Sequence, residues 1–246
     1  MSTTLAEKSV LVIGAGGLGG PALLALASAG VGRLVLVDDD VVDPSNLHRQ
    51  PLFGAADVGA RKAGAAARRL GQLFPSARIE ALDRRFDDAN ALELARAVDL
   101  VVDGADNFPT KFLANDAAVA AGKPLVHGGV LRYTLQLLTV RPGETGCLRC
   151  LFEAPPPQGD IPSCAEAGVL GPLAGFAGAL MGAEAVRLLS GDRGTYAGRL
   201  LVFEARAARS RTVPVRRREG CIACRARDAA EAQHLEVDRM ARGGEA

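Results

Sequence analysis

A glycine-rich turn near the N-terminus constrains the fold of this chain more than any other feature. Lys8–Gly14 is a continuous apolar run, typical of a buried parallel strand, and a helix of small residues follows over Pro21–Ala29. A second buried strand, Arg33–Asp38, ends in an acidic residue. Strand, turn, helix and strand in direct succession predict a βαβ unit.

The turn between strand and helix has the composition of a phosphate-binding loop. Its glycines are Gly14, Gly16, Gly17 and Gly19. Glycine lets the backbone turn sharply and approach a phosphate, whose charge suits a helix N-terminus. Asp38 ends the second strand, where an acidic residue can bind ribose hydroxyls. The pattern indicates a nucleotide site without saying which nucleotide, and a tight turn without a ligand is the alternative.

The rest of the chain continues this alternation and then changes character. Predicted helices cover Arg61–Phe74, Ala89–Ala97 and Pro109–Ala121, and predicted strands cover Ala77–Leu82, Val98–Asp103 and a run beginning at Leu125. After Gly129, longer and partly exposed strands are predicted at Tyr133–Val140, Leu200–Glu204 and Arg211–Val215, with a helix from about Pro172 to Leu189. We therefore expect an α/β fold, a Rossmann-like doubly wound and mostly parallel sheet continued by antiparallel strands.

Charge and cysteine content exclude several classes of protein. Lys plus Arg is 29 and Asp plus Glu is 28, so no global field attracts nucleic acid or an anionic membrane. The first residues lack the pattern of a signal peptide, and five cysteines, an odd number, argue for a reducing, cytoplasmic location. The long uncharged stretch 167–186 is interrupted by Glu184 and rich in glycine, which favours a buried interface helix over a membrane span.

A polar segment follows the second strand. Residues 38–50 read DDDVVDPSNLHRQ, and Lys62 follows near the start of the next helix. Arg49 and Lys62 could neutralise the β- and γ-phosphates of a triphosphate, and Asn46 and Gln50 could add neutral hydrogen bonds. The alternative is a solvated loop followed by an ordinary surface helix.

Asp106 lies in the sequence DGADN after the fourth strand. Ligands of open α/β sheets bind beyond the carboxyl ends of the strands. A carboxylate there suits magnesium, which prefers one or two carboxylates together with phosphate oxygens. The alternative is an N-cap aspartate for the helix that follows.

Two Cys-x-x-Cys pairs are the sharpest local signal. Cys147, Cys150, Cys221 and Cys224 can close a tetrahedral sulfur site that suits structural zinc. A redox-active pair is the alternative, although such pairs usually lie in thioredoxin-like units.

The fifth cysteine, Cys164, follows the Pro-rich loop Ala154–Pro162 and precedes a predicted helix. A helix N-terminus can make a thiol nucleophilic, and an unreactive loop cysteine is the alternative.

Arginines are concentrated in the stretch from Arg206 to Arg227, without interleaved aromatic residues. This pattern favours a solvated rim or a docking face for an acidic partner over RNA binding. His48, His127 and His234 are scattered and predict no metal site.

Taken together and in this order, these motifs identify a family. GAGGLGG after the first strand, DDDVVDPSNLHRQ after the second, the Val58–Lys62 helix start, DGADN after the fourth strand and the paired cysteines resemble the bacterial ThiF/MoeB/HesA adenylyltransferases, relatives of ubiquitin-activating enzymes. The resemblance covers about Lys8–Cys224. It implies a single adenylation domain over 1–246, with a nucleotide-binding half (1–130), a carrier-binding and zinc half (131–228) and a C-terminal tail (229–246).

The resemblance also implies a reaction. Members of the family use ATP and magnesium to adenylate the C-terminal glycine carboxylate of a small ubiquitin-like sulfur-carrier protein ending in Gly-Gly, and release pyrophosphate, in thiamin or molybdopterin-type biosynthesis. The attacking carboxylate is already ionised at pH 7, so no general base is needed. A homodimer is expected, whereas a membrane or nucleic acid is not an expected partner.

By the same resemblance, Asp38 contacts the ATP ribose, Arg49 and Lys62 contact the phosphates, and Asp106 holds magnesium. Asn46 and Gln50 are supporting contacts of the bound ATP, and Cys164 is a candidate for a later acyl or sulfur transfer.

Two features depart from the family pattern. Relatives usually begin with a helical segment whose arginine reaches the ATP of the neighbouring subunit, and no arginine precedes Val10 here. A rhodanese-like extension does not follow the zinc cysteines, so a separate sulfur donor protein is expected. The alternatives are an ATP-using enzyme acting on a modified tRNA base, a non-catalytic nucleotide-binding partner protein and, more distantly, a dinucleotide oxidoreductase.

Overall fold

Eight strands form one mixed sheet in the computed structural model, which describes residues 4–157 and 168–228. In chain order they are β1 (Ser9–Ile13), β2 (Arg33–Val37), β3 (Arg78–Leu82), β4 (Leu100–Asp103), β5 (Leu125–Leu131), β6 (Thr134–Val140), β7 (Arg199–Glu204) and β8 (Arg209–Pro214). Their spatial order is β3–β2–β1–β4–β5–β6–β7–β8. The first five are parallel, and β6, β7 and β8 each pair antiparallel with the strand before them. The mixed α/β sheet expected from the sequence is confirmed.

Helices cover both faces of this sheet. They are α1 (Gly19–Ser28), α2 (Lys62–Leu73), α3 (Ala91–Arg96), α4 (Phe108–Ala120), α5 (Leu148–Leu151) and α6 (Gly171–Leu189), and residues 222–228 are also helical. One apolar core packs α1, α2 and α6 against one face, and a second packs α3 and α4 against the other. Because both faces are covered, β1, β2 and β4 are buried almost throughout, which explains their uninterrupted apolar sequences.

Of the later strands, β6 is more buried than the sequence suggested, whereas β7 and β8 are partly exposed as expected. We expected β6 to be partly exposed, but five of its seven residues are buried. The strands β5 and β7 pair with the two edges of β6, and α6 packs on one of its faces. The sequence of β6 alternates Thr134 and Gln136 with leucines only in its first half, so the prediction of partial exposure was wrong for the second half.

The long helix α6 packs closely against α1. A Cβ on Gly182 would lie 2.5 Å from Cβ of Ala25, so glycine is needed for this close approach. Glu184 is buried on the same helix and accepts hydrogen bonds from Thr139 Oγ1, Thr195 N and Tyr196 N at 2.9, 3.0 and 2.8 Å. Within the described residues, α6 is the one helix long and apolar enough to cross a membrane, but half of its most apolar window is buried, as in a core helix.

The direction of the chain across the sheet reverses between β1 and β4. From β1 the chain moves outward through β2 to β3, whereas β4 and β5 lie on the other side of β1. In open α/β sheets, ligands bind beyond the carboxyl ends of the strands at such a point. The glycine turn after β1 lies at this place.

Candidate active site

The glycine turn is packed too tightly for side chains. Gly14 has a φ of +86°, a left-handed conformation that favours glycine, and its N–H donates to the carbonyl of Val37 at 2.9 Å. A Cβ on Gly104, after β4, would lie 2.8 Å from the nitrogen of Gly19. The glycines of the turn and of the DGADN segment therefore bring the starts of α1 and of the loop after β4 together.

Asp38 fixes the other side of the turn. Its Oδ2 accepts a hydrogen bond from Ala15 N at 2.7 Å, and its Oδ1 accepts one from Asp40 N at 2.9 Å. Burial raises the pKa of Asp38 although these N–H groups and the charge of Lys62 act to lower it. The structure thus places a half-buried carboxylate at the end of β2, directly beside the glycine turn.

The polar segment after Asp38 is organised around Asn46. Its Oδ1 accepts hydrogen bonds from Gln50 Nε2 at 2.8 Å and from Arg49 Nη2 at 3.5 Å, while Arg49 Nη1 donates to the carbonyl of Ser45 at 3.1 Å. The 3₁₀ turn Pro44–Asn46 is capped by Asp43, whose Oδ1 accepts from Ser45 N at 2.8 Å. Asn46 therefore holds the side chains of both Arg49 and Gln50.

This segment lies against the glycine turn. A Cβ on Gly17 would be 3.1 Å from the carbonyl oxygen of Arg49, and one on Gly16 would be 3.5 Å from Gln50 Nε2. Gln50 is 4 % exposed, and its Oε1 accepts no hydrogen bond from any described residue. A buried acceptor without a partner is costly, so its place beside the turn suits a ligand that supplies a donor.

Lys62 is the first residue of α2. Its ammonium donates to Asp40 Oδ2 at 2.8 Å, and its side chain is only 6 % exposed. The alternative of an ordinary surface helix does not describe this position, because the first side chain of α2 is turned inward.

Asp106 is exposed in the loop that follows β4. The N-cap of α4 is Asn107, whose Oδ1 accepts from Thr110 N at 2.9 Å. Asp106 is therefore not the cap that the alternative interpretation required, and its carboxylate makes no hydrogen bond or ion pair within the described part of the chain. It is open to a cation.

A buried polar cluster beneath this loop was not anticipated from the sequence. His127 Nδ1 lies 2.7 Å from Asp103 Oδ2, Lys111 Nζ lies 3.3 Å from the same oxygen, and Ala105 N donates to Asp103 Oδ1 at 3.0 Å. Asp103 and His127 end up side by side because β4 and β5 are parallel neighbours with these two residues in register. The signal for this cluster was the presence of polar residues within otherwise apolar strands.

The four paired cysteines form one cluster. The sulfur of Cys147 lies 3.8 Å from Cys150, 3.7 Å from Cys221 and 3.7 Å from Cys224, and Cys150 lies 3.7 Å from Cys224. A tetrahedron of sulfurs bonded to zinc at about 2.3 Å has edges of about 3.8 Å. The cluster therefore has the dimensions of a four-thiolate metal site, and two separate redox pairs do not describe it.

The thiols differ in environment. Burial raises the pKa of Cys147 strongly and that of Cys224 to about 11. At Cys150, burial alone would raise the pKa, but the N–H of Arg218, 3.4 Å from its sulfur, helps to lower it. Cys164 and His234 lie outside the described residues.

Helix α4 connects the cysteine cluster to the loop of Asp106. Asn115 Oδ1 accepts a hydrogen bond from Leu148 N at 2.9 Å, and Asp116 forms an ion pair with Arg149 at 2.7 Å. Both partners lie within the first cysteine pair, so the cluster supports the helix that begins beside Asp106.

These features define a doubly wound α/β protein. A glycine turn of the kind that binds phosphate lies at the topological switch point of its sheet. A sequence model of the ThiF family matches residues 2–223, and the chain belongs to this family. The resemblance inferred from the motifs is confirmed.

Individual relatives agree with this assignment. The sulfur carrier protein adenylyltransferase of Thermus thermophilus is 50 % identical over 225 residues, which are 89 % of this chain and 83 % of that protein. The probable adenylyltransferase/sulfurtransferase MoeZ of Mycobacterium tuberculosis is 46 % identical over 217 residues, 87 % of this chain and 55 % of that protein. The chain thus spans about half the length of MoeZ.

Among solved structures, E. coli MccB with ATP superimposes with a TM-score of 0.78 at 21 % identity, covering 90 % of this chain and 67 % of that one. At this identity the likeness concerns the fold alone.

Proposed function

We propose that this chain is an adenylyltransferase that uses ATP to activate the C-terminal carboxylate of a small sulfur-carrier protein. The observation that carries the proposal is the packing of the glycine turn against both Asp38 and the Arg49–Gln50 segment. Arg49, which is cationic, and Asp38, an acidic residue at the position that binds ribose in nucleotide-binding proteins, thus both lie against a glycine turn of the kind that binds phosphate. The name of the Thermus relative, at 50 % identity, supplies the type of reaction.

In this proposal the phosphates lie at the start of α1, where backbone N–H groups and the helix dipole favour anions. Asp38 contacts the ribose, and Arg49 and Lys62 offset the charge of the β- and γ-phosphates. Asn46 and Gln50 are supporting contacts. The side-chain oxygen of Asn46 accepts hydrogen bonds from both Arg49 and Gln50. The unpaired Oε1 of Gln50 is available to a donor of the nucleotide or of its water shell.

The residues present also fit magnesium. Asp106 offers an exposed carboxylate without an ion-pair partner among the described residues, and hard oxygen donors are what magnesium prefers. When bound, magnesium would neutralise charge on the phosphate oxygens. Asp106, in the loop after the carboxyl end of β4, would be the residue that holds it.

The chemistry requires alignment more than proton transfer. A carboxylate oxygen of the carrier attacks the α-phosphorus, the bond from that phosphorus to the bridging oxygen breaks, and pyrophosphate leaves as an acyl-adenylate forms. The attacking carboxylate is ionised at neutral pH, so no base is needed. Arg49 and Lys62 offset the negative charge that is redistributed to the leaving pyrophosphate.

The cysteine cluster is proposed to hold a structural zinc ion. The sulfur separations of 3.7–3.8 Å support this assignment because they match a closed tetrahedron. Four thiolates leave no open position, so the role of the zinc ion is to hold residues 147–150 against residues 221–224.

We also propose that residues 1–130 bind the nucleotide and residues 131–228 bind the carrier, within a homodimer that receives sulfur from a separate donor protein. The product pathway would be of the thiamin or molybdopterin type.

ATP–pyrophosphate exchange tests the proposed reaction. The enzyme is incubated with ATP, labelled pyrophosphate and candidate carriers ending in Gly-Gly, each beside a matched carrier that lacks the last glycine. Exchange that depends on the intact carrier is the expected result. Equal exchange with both forms of a carrier would contradict the proposal. So would the absence of exchange with every carrier whose gene neighbours the gene of this protein.

A further inference from the structure

An ion pair at the edge of the proposed ATP site joins Lys62 to an aspartate. Lys62 Nζ lies 2.8 Å from Asp40 Oδ2, and the two side chains are 6 % and 65 % exposed. A buried ammonium needs a compensating partner. Among the described residues, Asp40 is the carboxylate within ion-pair distance of Lys62. Its position therefore decides where the ammonium lies.

Asp40 is itself held on three sides. Its N–H donates to Asp38 Oδ1 at 2.9 Å, its carbonyl accepts from the N–H of Lys62 at 2.9 Å, and its carboxylate binds the ammonium. The second oxygen of Asp38 accepts from Ala15 N in the glycine turn at 2.7 Å. A continuous series of hydrogen bonds thus connects the glycine turn to the ammonium of Lys62.

This arrangement also explains an acidic cluster. Carboxylate oxygens of Asp38, Asp39 and Asp40 all lie within 4.8 Å of one another, a spacing that can hold a metal ion. Both oxygens of Asp38 already accept backbone N–H groups, and Asp40 already binds an ammonium. The cluster therefore organises donors of the protein itself and does not need a cation.

We propose that Asp40 is a positioning residue that holds the ammonium of Lys62 in the orientation required for adenylation, an inference that rests on the proposed function. An ammonium has three protons, so one hydrogen bond to Asp40 leaves two for phosphate oxygens. The negative charge of Asp40 does not favour a nearby polyphosphate, so its benefit lies in placing Lys62. Removal of that charge should slow the chemical step without weakening ATP binding.

The first arm of the test needs neither ATP nor a carrier. Asp40→Asn keeps the size of the side chain and removes its charge, and Asp39→Asn is the matched control, because Asp39 is exposed and makes no hydrogen bond or ion pair within the described chain. Lys62 is labelled with an amine-acylating reagent and quantified by peptide mass spectrometry. We expect labelling several-fold faster in Asp40→Asn, with Asp39→Asn like the unmodified protein. Equal rates in the two variants would overturn the proposal.

The second arm measures carrier-dependent exchange. Misplacement of a reacting or binding group by about 1 Å can cost about a hundredfold in rate. We expect kcat of Asp40→Asn to fall by about tenfold or more, with KM for magnesium-ATP little changed. A rate equal to that of Asp39→Asn, or a parallel loss of kcat, ATP affinity and Tm, would overturn the proposal. If the unmodified enzyme gave no exchange at all, the proposed function would fail, and the labelling arm would still decide whether Asp40 holds Lys62.

Discussion

His127 Nδ1 lies 2.7 Å from Asp103 Oδ2, and both side chains are buried beneath the loop that carries Asp106. Lys111 shares the same carboxylate and also donates to the carbonyl of Gly128 at 2.6 Å. Burial lowers the pKa of His127. At Asp103, burial alone would raise the pKa, but the charge of Lys111 and the hydrogen bond of His127 lower it overall. A neutral imidazole that donates to an ionised carboxylate satisfies all three groups.

This cluster makes stability sensitive to acid. The unfolded chain protonates His127 below about pH 6.5, whereas the folded protein resists protonation, so the free energy of unfolding should fall as the pH drops below that value. The slope from one such group is at most about 1.4 kcal/mol per pH unit. The lowered pKa of Asp103 adds stability that is present above its ordinary range and is lost at still lower pH. Denaturant unfolding between pH 8 and pH 5 measures the first effect.

Two histidine variants separate His127 from the other titrating groups. Asparagine at position 127 keeps a donor near the Nδ1 position and cannot be protonated in this range, so His127→Asn should flatten the profile between pH 6.5 and 5. His48→Asn is the control, because His48 is exposed. Identical slopes in the two variants would exclude His127 as the group responsible.

The sequence predicted the fold because the informative features are local. The apolar runs of β1, β2 and β4, and the glycines between Ile13 and Gly20, report burial and backbone geometry directly. Helix and strand boundaries such as Gly171–Leu189 differ from the prediction by one or two residues.

The contacts within the site were harder to predict because they depend on register and on side-chain direction. Asp103 and His127 are 24 positions apart and meet only because β4 and β5 pair in register. Lys62 was predicted to contact the phosphates, but its ion pair with Asp40 follows from the way residues 40 and 62 hydrogen-bond through their backbones. No pattern in the sequence predicts the contact between Asp103 and His127 or the ion pair between Lys62 and Asp40.

The cysteine cluster gives a prediction about metal and stability. Protein purified without chelator should contain one zinc ion per chain, measured by elemental analysis. Cys147→Ser and Cys224→Ser should each release metal and lower the free energy of unfolding by several kcal/mol, since metal binding contributes directly to folding. Cys164→Ser, which leaves both Cys-x-x-Cys pairs unchanged, should retain zinc. A folded, metal-free protein would contradict the assignment.

Two glycines of the turn should separate folding from nucleotide binding. A Cβ on Gly19 would overlap the carbonyl oxygen of Gly14, so Gly19→Ala should destabilise the fold. Among the residues that the structure describes, a Cβ on Gly16 would meet only Gln50 Nε2 at 3.5 Å, an ordinary contact. Gly16→Ala should therefore fold normally but lose ATP affinity by obstructing the phosphates. Thermal unfolding and calorimetry with magnesium-ATP provide the comparison. Undiminished ATP binding by Gly16→Ala would place the phosphates elsewhere.

The exposed side of α6 predicts a homodimer. Pro172, Phe176, Ala179 and Ala183 are exposed along one stripe of this helix, and Phe176 is 48 % exposed beside Phe203. An apolar stripe of this kind suits an isologous interface. Light scattering should give twice the chain mass of 25.5 kDa, and Phe176→Glu should shift the protein toward the monomer. A monomer at micromolar concentration in the unmodified protein would contradict the prediction.

The proposed mechanism predicts a split between adenylation and any later transfer. Asp106→Ala and Arg49→Ala should reduce carrier-dependent pyrophosphate exchange by about a hundred- to a thousandfold, the usual cost of losing one transition-state contact. Cys164→Ser should leave exchange intact, because attack of an ionised carboxylate on ATP uses no thiol, although transfer of sulfur or of the acyl group can be lost. Exchange and sulfur transfer are therefore measured on the same folded, zinc-loaded proteins. If Cys164→Ser abolishes exchange, the thiol takes part in adenylation; if Asp106→Ala retains it, the magnesium site lies at another residue.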